Sequence, residues 1–208
     1  SSLSYAKRKS EELGIRNIDY MQGDILDLGE LDRQFDIVES VGVLHHMDDP
    51  VAGWRSLTDC LKPGGLMKIG LYSELARQHI VGIRDEIRKA GIGSSDSAIK
   101  SFRTIVMKSD QKNHKEMLYF SDFYSLSELK DLLFHVKEHR FTIPQIQDCL
   151  SELGLNFCGF ETDEIVSDFK LSNTDTEDPY NLDKWHAYEE TNPESFRAMY
   201  QFWSQKIV

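Results

Sequence analysis

Residues 35–73 show the order strand, loop, helix, strand, and this order limits the possible folds more than any other feature of the chain. The apolar run at 35–38 is long enough for a buried strand and too short for a helix. The following helix has Pro50 in its first turn, and its apolar residues share one face, namely Trp54, Leu57 and Leu61. A Lys-Pro-Gly-Gly turn ends that helix, and the apolar run at 66–71 predicts a second buried strand. The pattern predicts a right-handed βαβ unit of a parallel sheet.

The βαβ unit also predicts where a ligand would bind. In open α/β sheets, ligands bind beyond the carboxyl ends of the strands, so residues 39–46 lie at the mouth of a site. His45 and His46 fall in this stretch. Histidine titrates near neutral pH and could accept a proton from a hydroxyl or an amine, so both are candidate catalytic bases. The alternative is that one of them only orients the loop.

Three segments in order carry a resemblance to a known family. FDIVESVGVLHHMDDP, followed by LKPGG and an apolar strand, resembles the second half of a class I S-adenosylmethionine-dependent methyltransferase. Upstream, residues 18–25 (IDYMQGDI) resemble the third strand of that family and the acidic residue that ends it. The resemblance covers residues 1–73 closely and the C-terminal third loosely. It implies a Rossmann-like α/β fold and methyl transfer from S-adenosylmethionine to an unidentified acceptor.

The resemblance also implies residues that bind the cofactor. Asp24 matches the family's adenine-contacting acid, with the backbone of Ile25 beside it. Ser40 and Val41 match positions that touch the methionine portion, mostly through the backbone. The alternatives are a helix cap or surface acid for Asp24, and ordinary packing at a strand end for Ser40 and Val41.

The N-terminal part departs from the family's pattern. A class I methyltransferase opens with a strand, a glycine-rich turn, a helix and a second strand ending in an acid, and nothing in the chain matches this. Residues 1–13 predict a helix and residues 17–22 predict the first strand. We therefore expect an N-terminally truncated domain that binds the cofactor weakly or not at all as given. We also expect the strand at 17–22 to lack the neighbours that would join it to the strand at 35–38.

A block at 74–140 predicts a helical insertion between the fifth and sixth strands of the family's sheet. Apolar periodicity indicates helices around 75–87 and 99–106, and a capping-box pattern begins at Ser125. The family commonly places substrate-binding insertions here. We expect Tyr124 or His135 to face the pocket above His45, and substitution of these residues to change the affinity for the acceptor more than that for the cofactor. The alternative is a helical cap over the sheet edge, with the aromatic residues forming its core.

The C-terminal region predicts a helix at 142–153, a strand at 155–161, a helix at 182–190 and a final strand at 199–203. We interpret 1–208 as one partial methyltransferase domain, with a cofactor-side βαβ core at 1–73, a helical insertion at 74–140 and C-terminal strands and helices at 141–208. SELKDLLFHVKEHRFTIPQI and MYQFWSQK more weakly resemble bacterial methyltransferases that are sometimes joined to tetratricopeptide repeats. The full-length protein could therefore carry such a region.

Composition and charge narrow the possible partners. A net charge of −11 argues against nucleic acid and against an anionic membrane surface as partners. The chain has no apolar run long enough for a membrane span and no signal peptide, which predicts a cytoplasmic protein. Three widely spaced cysteines predict free thiols rather than disulfides or a zinc site, namely Cys60, Cys149 and Cys158.

One short pattern points to a different chemistry. Residues 135–139 match the HxxEH pattern of inverted zinc peptidases. Two histidines at i and i+4 would share a helix face, as two zinc ligands must. Five-residue patterns arise by chance, however, and the strands upstream predict another fold, so we expect no metal.

A second function class stays open from the sequence alone. The chain could be a non-catalytic partner-binding or scaffold module on a methyltransferase-like fold, because fold does not settle function. The absent glycine-rich turn is the feature that favours this alternative.

Overall fold

The computed structural model describes residues 2–134 and 138–208, which form a mixed α/β fold around one open sheet. The four strands of this sheet lie in the spatial order β1-β2-β4-β3 in the described chain. Strand β2 pairs parallel to β1, and β4 pairs antiparallel to both β2 and β3. The strands are β1 Phe35–Val41, β2 Leu61–Leu71, β3 Leu155–Phe160 and β4 Tyr200–Lys206. The α-helices are α1 Ser2–Glu12, α2 Pro50–Asp59, α3 Gln78–Lys89, α4 Asp96–Lys108, α5 Lys112–Met117, α6 Leu126–Phe134, α7 Ile143–Glu152, α8 Asp163–Ser172 and α9 Leu182–Thr191.

The predicted βαβ unit is confirmed as β1, α2 and β2. The Asp49 carboxylate begins α2 by accepting hydrogen bonds from the backbone N–H groups of Val51 and Ala52, both at 3.0 Å. The fully buried indole of Trp54 donates to the sulfur of Met67 at 3.2 Å, which joins the helix to the sheet. This local packing fixes α2 across the β1–β2 pair.

Strand β2 begins earlier than the sequence predicts, at Leu61 rather than at residue 66. Its pairing with β1 contains an irregularity, because the register shifts between Phe35 and Ile37. Gly64 adopts φ 75°, a conformation that favours glycine. A Cβ at Gly65 would lie 3.0 Å from the backbone oxygen of the neighbouring strand's Asp36. The glycine pair therefore lets the strand continue through a bulge instead of ending in a turn.

The predicted strand at 17–22 is wrong. These residues pair with no strand in the described part of the chain, and β1 is the outermost strand on that side of the sheet. A strand needs a neighbour to satisfy its backbone N–H and C=O groups, and residues 17–22 find none there. The predicted N-terminal helix is confirmed as α1, and the hydroxyls of Ser10 and Tyr20 lie 2.6 Å apart.

Two separate hydrophobic clusters stabilise the fold. The first lies between one face of the sheet and helices α2, α7 and α9, with Trp54, Ile69, Ile146, Trp185 and Phe202 fully buried. The second lies within helices α3 to α6, between β2 and β3 in the chain, and includes Ile83, Phe102, Phe123 and Leu129. Phe102 and Phe123 thus form core of the helical layer, whereas Tyr119 and Tyr124 are exposed.

The C-terminal elements follow the prediction closely. Thr142 and Gln145 form a reciprocal capping box at the start of α7, with a proline in the first turn. Strand β4 is antiparallel, and Lys206 at its end donates from Nζ to the carbonyls of Thr58 in the last turn of α2 and of Leu61 at the start of β2. Helix α8 was not predicted by the sequence.

A buried carboxylate ties α9 to the sheet. The side chain of Glu189 is 2% exposed and accepts hydrogen bonds from the Tyr200 hydroxyl at 2.6 and 2.7 Å and from the Ser73 hydroxyl at 2.7 Å. Burial raises the pKa of the Glu189 carboxyl, while these hydrogen bonds oppose the rise. Burial also raises the pKa of the Tyr200 phenol, so the phenol stays a donor at neutral pH.

Replacing Tyr200→Phe should lower the free energy of unfolding by about 1.5–3 kcal/mol at neutral pH, because the buried carboxylate loses its phenol donor. Burial raises the native pKa of the Glu189 carboxyl above its ordinary value, so the loss should shrink as the pH falls and the carboxyl becomes neutral. Urea denaturation at about pH 4.5 and about pH 7.5 measures both effects. Tyr119→Phe, at an 83% exposed position, is the matched control. A Tyr200→Phe loss that does not change with pH would contradict this account.

Candidate functional site

The candidate site lies at the carboxyl ends of the parallel strands, as the sequence predicts. Ser40 and Val41 end β1, and Gly42 turns the chain at φ 78° into a short 3₁₀ helix, Leu44–His46. The Ser40 hydroxyl is buried, and its oxygen has no hydrogen-bond partner among the described residues. A buried hydroxyl without a partner costs free energy, which a polar ligand at this edge would recover.

Met199 lies across the ends of β1 and β2 and was not predicted as a site residue. A Cβ at Gly70 would lie 2.6 Å from the sulfur of Met199 and 2.7 Å from Cγ1 of Val41. Only glycine at position 70 therefore lets the Met199 side chain pack against the strand ends in this way. The Met199 side chain thus provides an apolar surface at the carboxyl ends of β1 and β2.

The two candidate histidines differ in their surroundings. His45 is fully buried, and its ring stacks on Tyr72 with 3.9 Å between ring centroids and an interplanar angle of 29°. His46 is partly exposed and meets the His45 ring edge to face, with centroids 4.3 Å apart. The structure brings the pair together at the predicted edge, with His46 nearer to solvent.

Tyr72 and Arg77 belong to the same cluster and were missed by the sequence analysis. Tyr72 directly follows β2, and the guanidinium carbon of Arg77 lies 3.6 Å from the Tyr72 ring centroid. Burial raises the pKa of the Tyr72 phenol. The position of Tyr72 immediately after a predicted strand is the signal that could have found it.

Glu138 anchors this cluster from the other side. Its carboxylate accepts from Nε and Nη2 of Arg77 at 3.2 and 3.0 Å, and an Arg84 nitrogen lies 3.2 Å away. Glu138 is 2% exposed and Arg77 3% exposed, so this ion pair is buried. Arg140 is a third, more distant cation at 3.7 Å. Burial lowers the pKa of Arg84, opposed by the nearby carboxylate.

The structure places the predicted adenine-contacting acid at a helix cap. Asp24 precedes the 3₁₀ helix Ile25–Glu30, and its carboxylate accepts from the N–H of Leu26 at 3.0 Å. The side chain remains exposed, and Ile25 packs partly buried against the first hydrophobic cluster. The capping alternative is therefore realised, and contact with a cofactor remains a prediction.

The predicted acceptor-binding residues are not brought to the histidines by any described contact. Tyr124 is 61% exposed, and its hydroxyl donates to the carbonyl of Leu118 at 3.0 Å within the helical layer. His135 lies outside the described residues. Their role toward an acceptor remains a prediction.

Residues 138 and 139 are the described part of the HxxEH pattern, and both make contacts within the protein. Glu138 binds arginines, and the backbone N–H of His139 donates to the carbonyl of His45 at 2.8 Å. Within residues 2–134 and 138–208, no three side chains are grouped to hold a metal ion. No helix in those ranges is both long and apolar enough to cross a bilayer.

Comparisons with known proteins bear on the first third of the chain and on its fold. Residues 1–69 match the family described as Methyltransferase domain. An uncharacterized protein of Synechococcus sp. is 26% identical over 198 residues, which is 90% of this chain and 48% of that protein. A ubiquinone biosynthesis O-methyltransferase of Ruegeria pomeroyi is 38% identical over 65 residues, 31% of this chain and 26% of that enzyme.

A solved structure shares the fold across nearly the whole chain. PKMT2 from Rickettsia typhi, in complex with AdoHcy, superposes with a TM-score of 0.65 at 15% identity, covering 98% of this chain and 41% of PKMT2. The chain thus spans about half the length, or less, of these three proteins. Residues 1–69 are therefore similar to the methyltransferase-domain family, and nearly the whole chain shares the fold of PKMT2. The Rossmann-like α/β fold expected from the sequence is confirmed, and the expected resemblance to the family is supported over residues 1–69.

The environments of the two histidines predict different effects of truncation. His45→Ala should lower the free energy of unfolding by about 2–4 kcal/mol, because it removes a fully buried ring and leaves a cavity beside Tyr72. His46→Ala should cost less than about 1 kcal/mol, because that side chain is partly exposed. Urea denaturation of both variants at one pH measures the difference. Equal losses would mean that the His45 stack contributes little to stability.

Proposed function

We propose that the whole protein transfers a methyl group from S-adenosylmethionine to a hydroxyl or amine acceptor. The single observation that carries the proposal is that the carboxyl end of β1 has a buried, unpartnered Ser40 hydroxyl and is followed by the packed histidine pair. The family match over residues 1–69 supports the reaction class, and PKMT2, which shares the fold, is in complex with AdoHcy in its structure.

Several polar groups of the chain fit the cofactor chemically. We propose that Ser40 and Val41 bind its methionine portion, and that Asp24 and the Ile25 backbone bind its adenine. The Ser40 hydroxyl needs a polar partner, and Asp24 keeps an exposed carboxylate beside its capping bond. When bound, S-adenosylmethionine supplies an electrophilic methyl group on a sulfonium.

We propose that His46 removes the acceptor proton. It is the more accessible of the two histidines, so an acceptor can reach it, whereas the His45 ring is fully buried under Tyr72. A neutral ring nitrogen of His46 would take the proton from the acceptor hydroxyl or amine. His45 would then hold the loop, as the alternative reading of the pair suggests.

We propose that the helical layer selects the acceptor. Helices α3 to α6 form their own hydrophobic cluster, so they can present side chains without disturbing the sheet core. Tyr124 is exposed on this layer, and His135 follows α6 in the chain. Both remain proposed acceptor contacts.

S-adenosylhomocysteine should bind the whole protein, and Asp24→Asn should weaken that binding about tenfold or more, because a hydrogen bond to a charged group is lost. Asparagine keeps an acceptor for the cap on Leu26, so the 3₁₀ helix should persist. Isothermal titration calorimetry measures the affinity. Asp27→Asn, in the first turn of the same helix, is the matched control. No binding by the wild-type protein would favour the non-catalytic module instead.

His46→Gln should reduce methyl transfer about 100-fold while leaving S-adenosylhomocysteine affinity nearly unchanged, because it removes the proton acceptor only. The readout is incorporation of radiolabelled methyl groups from S-adenosylmethionine into a cell extract by the whole protein. His186→Gln, at a partly exposed position on α9, controls for the loss of a histidine elsewhere. Full activity of His46→Gln would remove base catalysis by His46 from the mechanism.

A further inference from the structure

We infer that Glu138 and Arg77 are positioning residues that hold the His45–His46 loop in place through the ring of Tyr72. The inference rests on the proposed function for its catalytic meaning. The structural basis of the inference is a continuous series of contacts that runs from the buried carboxylate of Glu138 to the candidate base, His46.

The series contains a three-layer stack. The His45 ring centroid lies 3.9 Å from that of Tyr72, and the guanidinium carbon of Arg77 lies 3.6 Å from the same Tyr72 centroid. Two planar groups this close to one ring cannot share a face without overlapping. His45 and Arg77 therefore lie on opposite faces of Tyr72, and neither the ring nor the histidine can shift toward Arg77.

Glu138 fixes the plane of the guanidinium in that stack. It accepts from two different nitrogens of Arg77, at 3.2 and 3.0 Å, and a planar guanidinium held at two points cannot rotate freely. Both side chains are almost completely buried, which strengthens the interaction. A lysine at position 77 would keep the charge but lose the planar stack.

The segment that carries Glu138 is also joined by backbone hydrogen bonds to the His45–His46 loop and to Tyr72, the residue that follows β2. The N–H of His139 donates to the carbonyl of His45, and the N–H of Phe141 donates to the carbonyl of Tyr72, both at 2.8 Å. The carbonyl of Phe141 accepts in turn from the N–H of Glu74 at 2.8 Å. Side-chain and backbone contacts thus place the same segment against the same two rings.

The ring protons of His45 report directly on this arrangement, because a stacked Tyr72 ring shields them. In the whole protein with labelled histidine, Glu138→Gln should remove this upfield ring-current shift at His45 and move the His46 signals. S-adenosylhomocysteine affinity should change less than about threefold, because Glu138 is not proposed to bind the cofactor. Asp178→Asn is the matched control, since Asp178 is 5% exposed and paired with Lys184 in the loop before α9.

A second set of variants tests the inference if Glu138→Gln unfolds. Tyr72→Phe should retain the His45 shift because the stack needs the ring and not the hydroxyl, whereas Arg77→Lys should alter it. In folded variants with measurable methyl transfer, Glu138→Gln and Arg77→Lys should lower turnover about 10- to 100-fold. Unchanged His45 and His46 signals in folded Glu138→Gln and Arg77→Lys would overturn the inference. Failure of the wild-type protein to bind S-adenosylhomocysteine would overturn the proposed function instead, and leave the signal test intact.

Discussion

The backbone pairing of β2 with a strand on each side is the constraint on which the rest of the structure depends. Strand β2 pairs parallel to β1 and antiparallel to β4, and its inward side chains Met67, Ile69 and Leu71 are fully buried. This double pairing satisfies the backbone of the strand and fixes the position of its carboxyl end. The two residues that follow it, Tyr72 and Ser73, then reach separate polar clusters.

These two clusters show different ways to bury a carboxylate. Through Arg77, Tyr72 is linked to Glu138, whose charge is balanced by buried and partly buried guanidinium groups. Ser73 donates directly to Glu189, which is hydrogen-bonded only by neutral hydroxyl donors among its described contacts, and burial raises its pKa. The first cluster borders the histidine loop and the helical layer, whereas the second fastens α9 to the sheet. The carboxylate at the candidate site is thus stabilised by charged groups, and the carboxylate away from the site is stabilised by neutral hydroxyl groups.

The parts of the fold that follow local patterns could be predicted, and the parts that need a distant neighbour could not. The βαβ unit and α7 were predicted from periodicity and caps, and the final strand β4 was predicted from its aromatic content. The strand at 17–22 was predicted along with the resemblance of residues 18–25 to the family's third strand, and it is wrong, because no described strand pairs with it. At the site, the position of the His45–His46 loop was predicted. The contact of Arg77 with Glu138 was not, because 61 residues separate them in the chain.

The sequence by itself showed the resemblance of residues 1–69 to the methyltransferase-domain family, and this resemblance implied the Rossmann-like fold. It also determined the βαβ unit and the edge at which the candidate site lies, because strand and helix periodicity and helix caps are local properties. Only the tertiary structure decided which of the adjacent histidines is buried and which meets solvent. It also decided that Tyr72 lies between His45 and Arg77. The physical reason is that burial and stacking depend on groups from the loop after β1, the residues between β2 and α3, and Glu138, which no local pattern brings together.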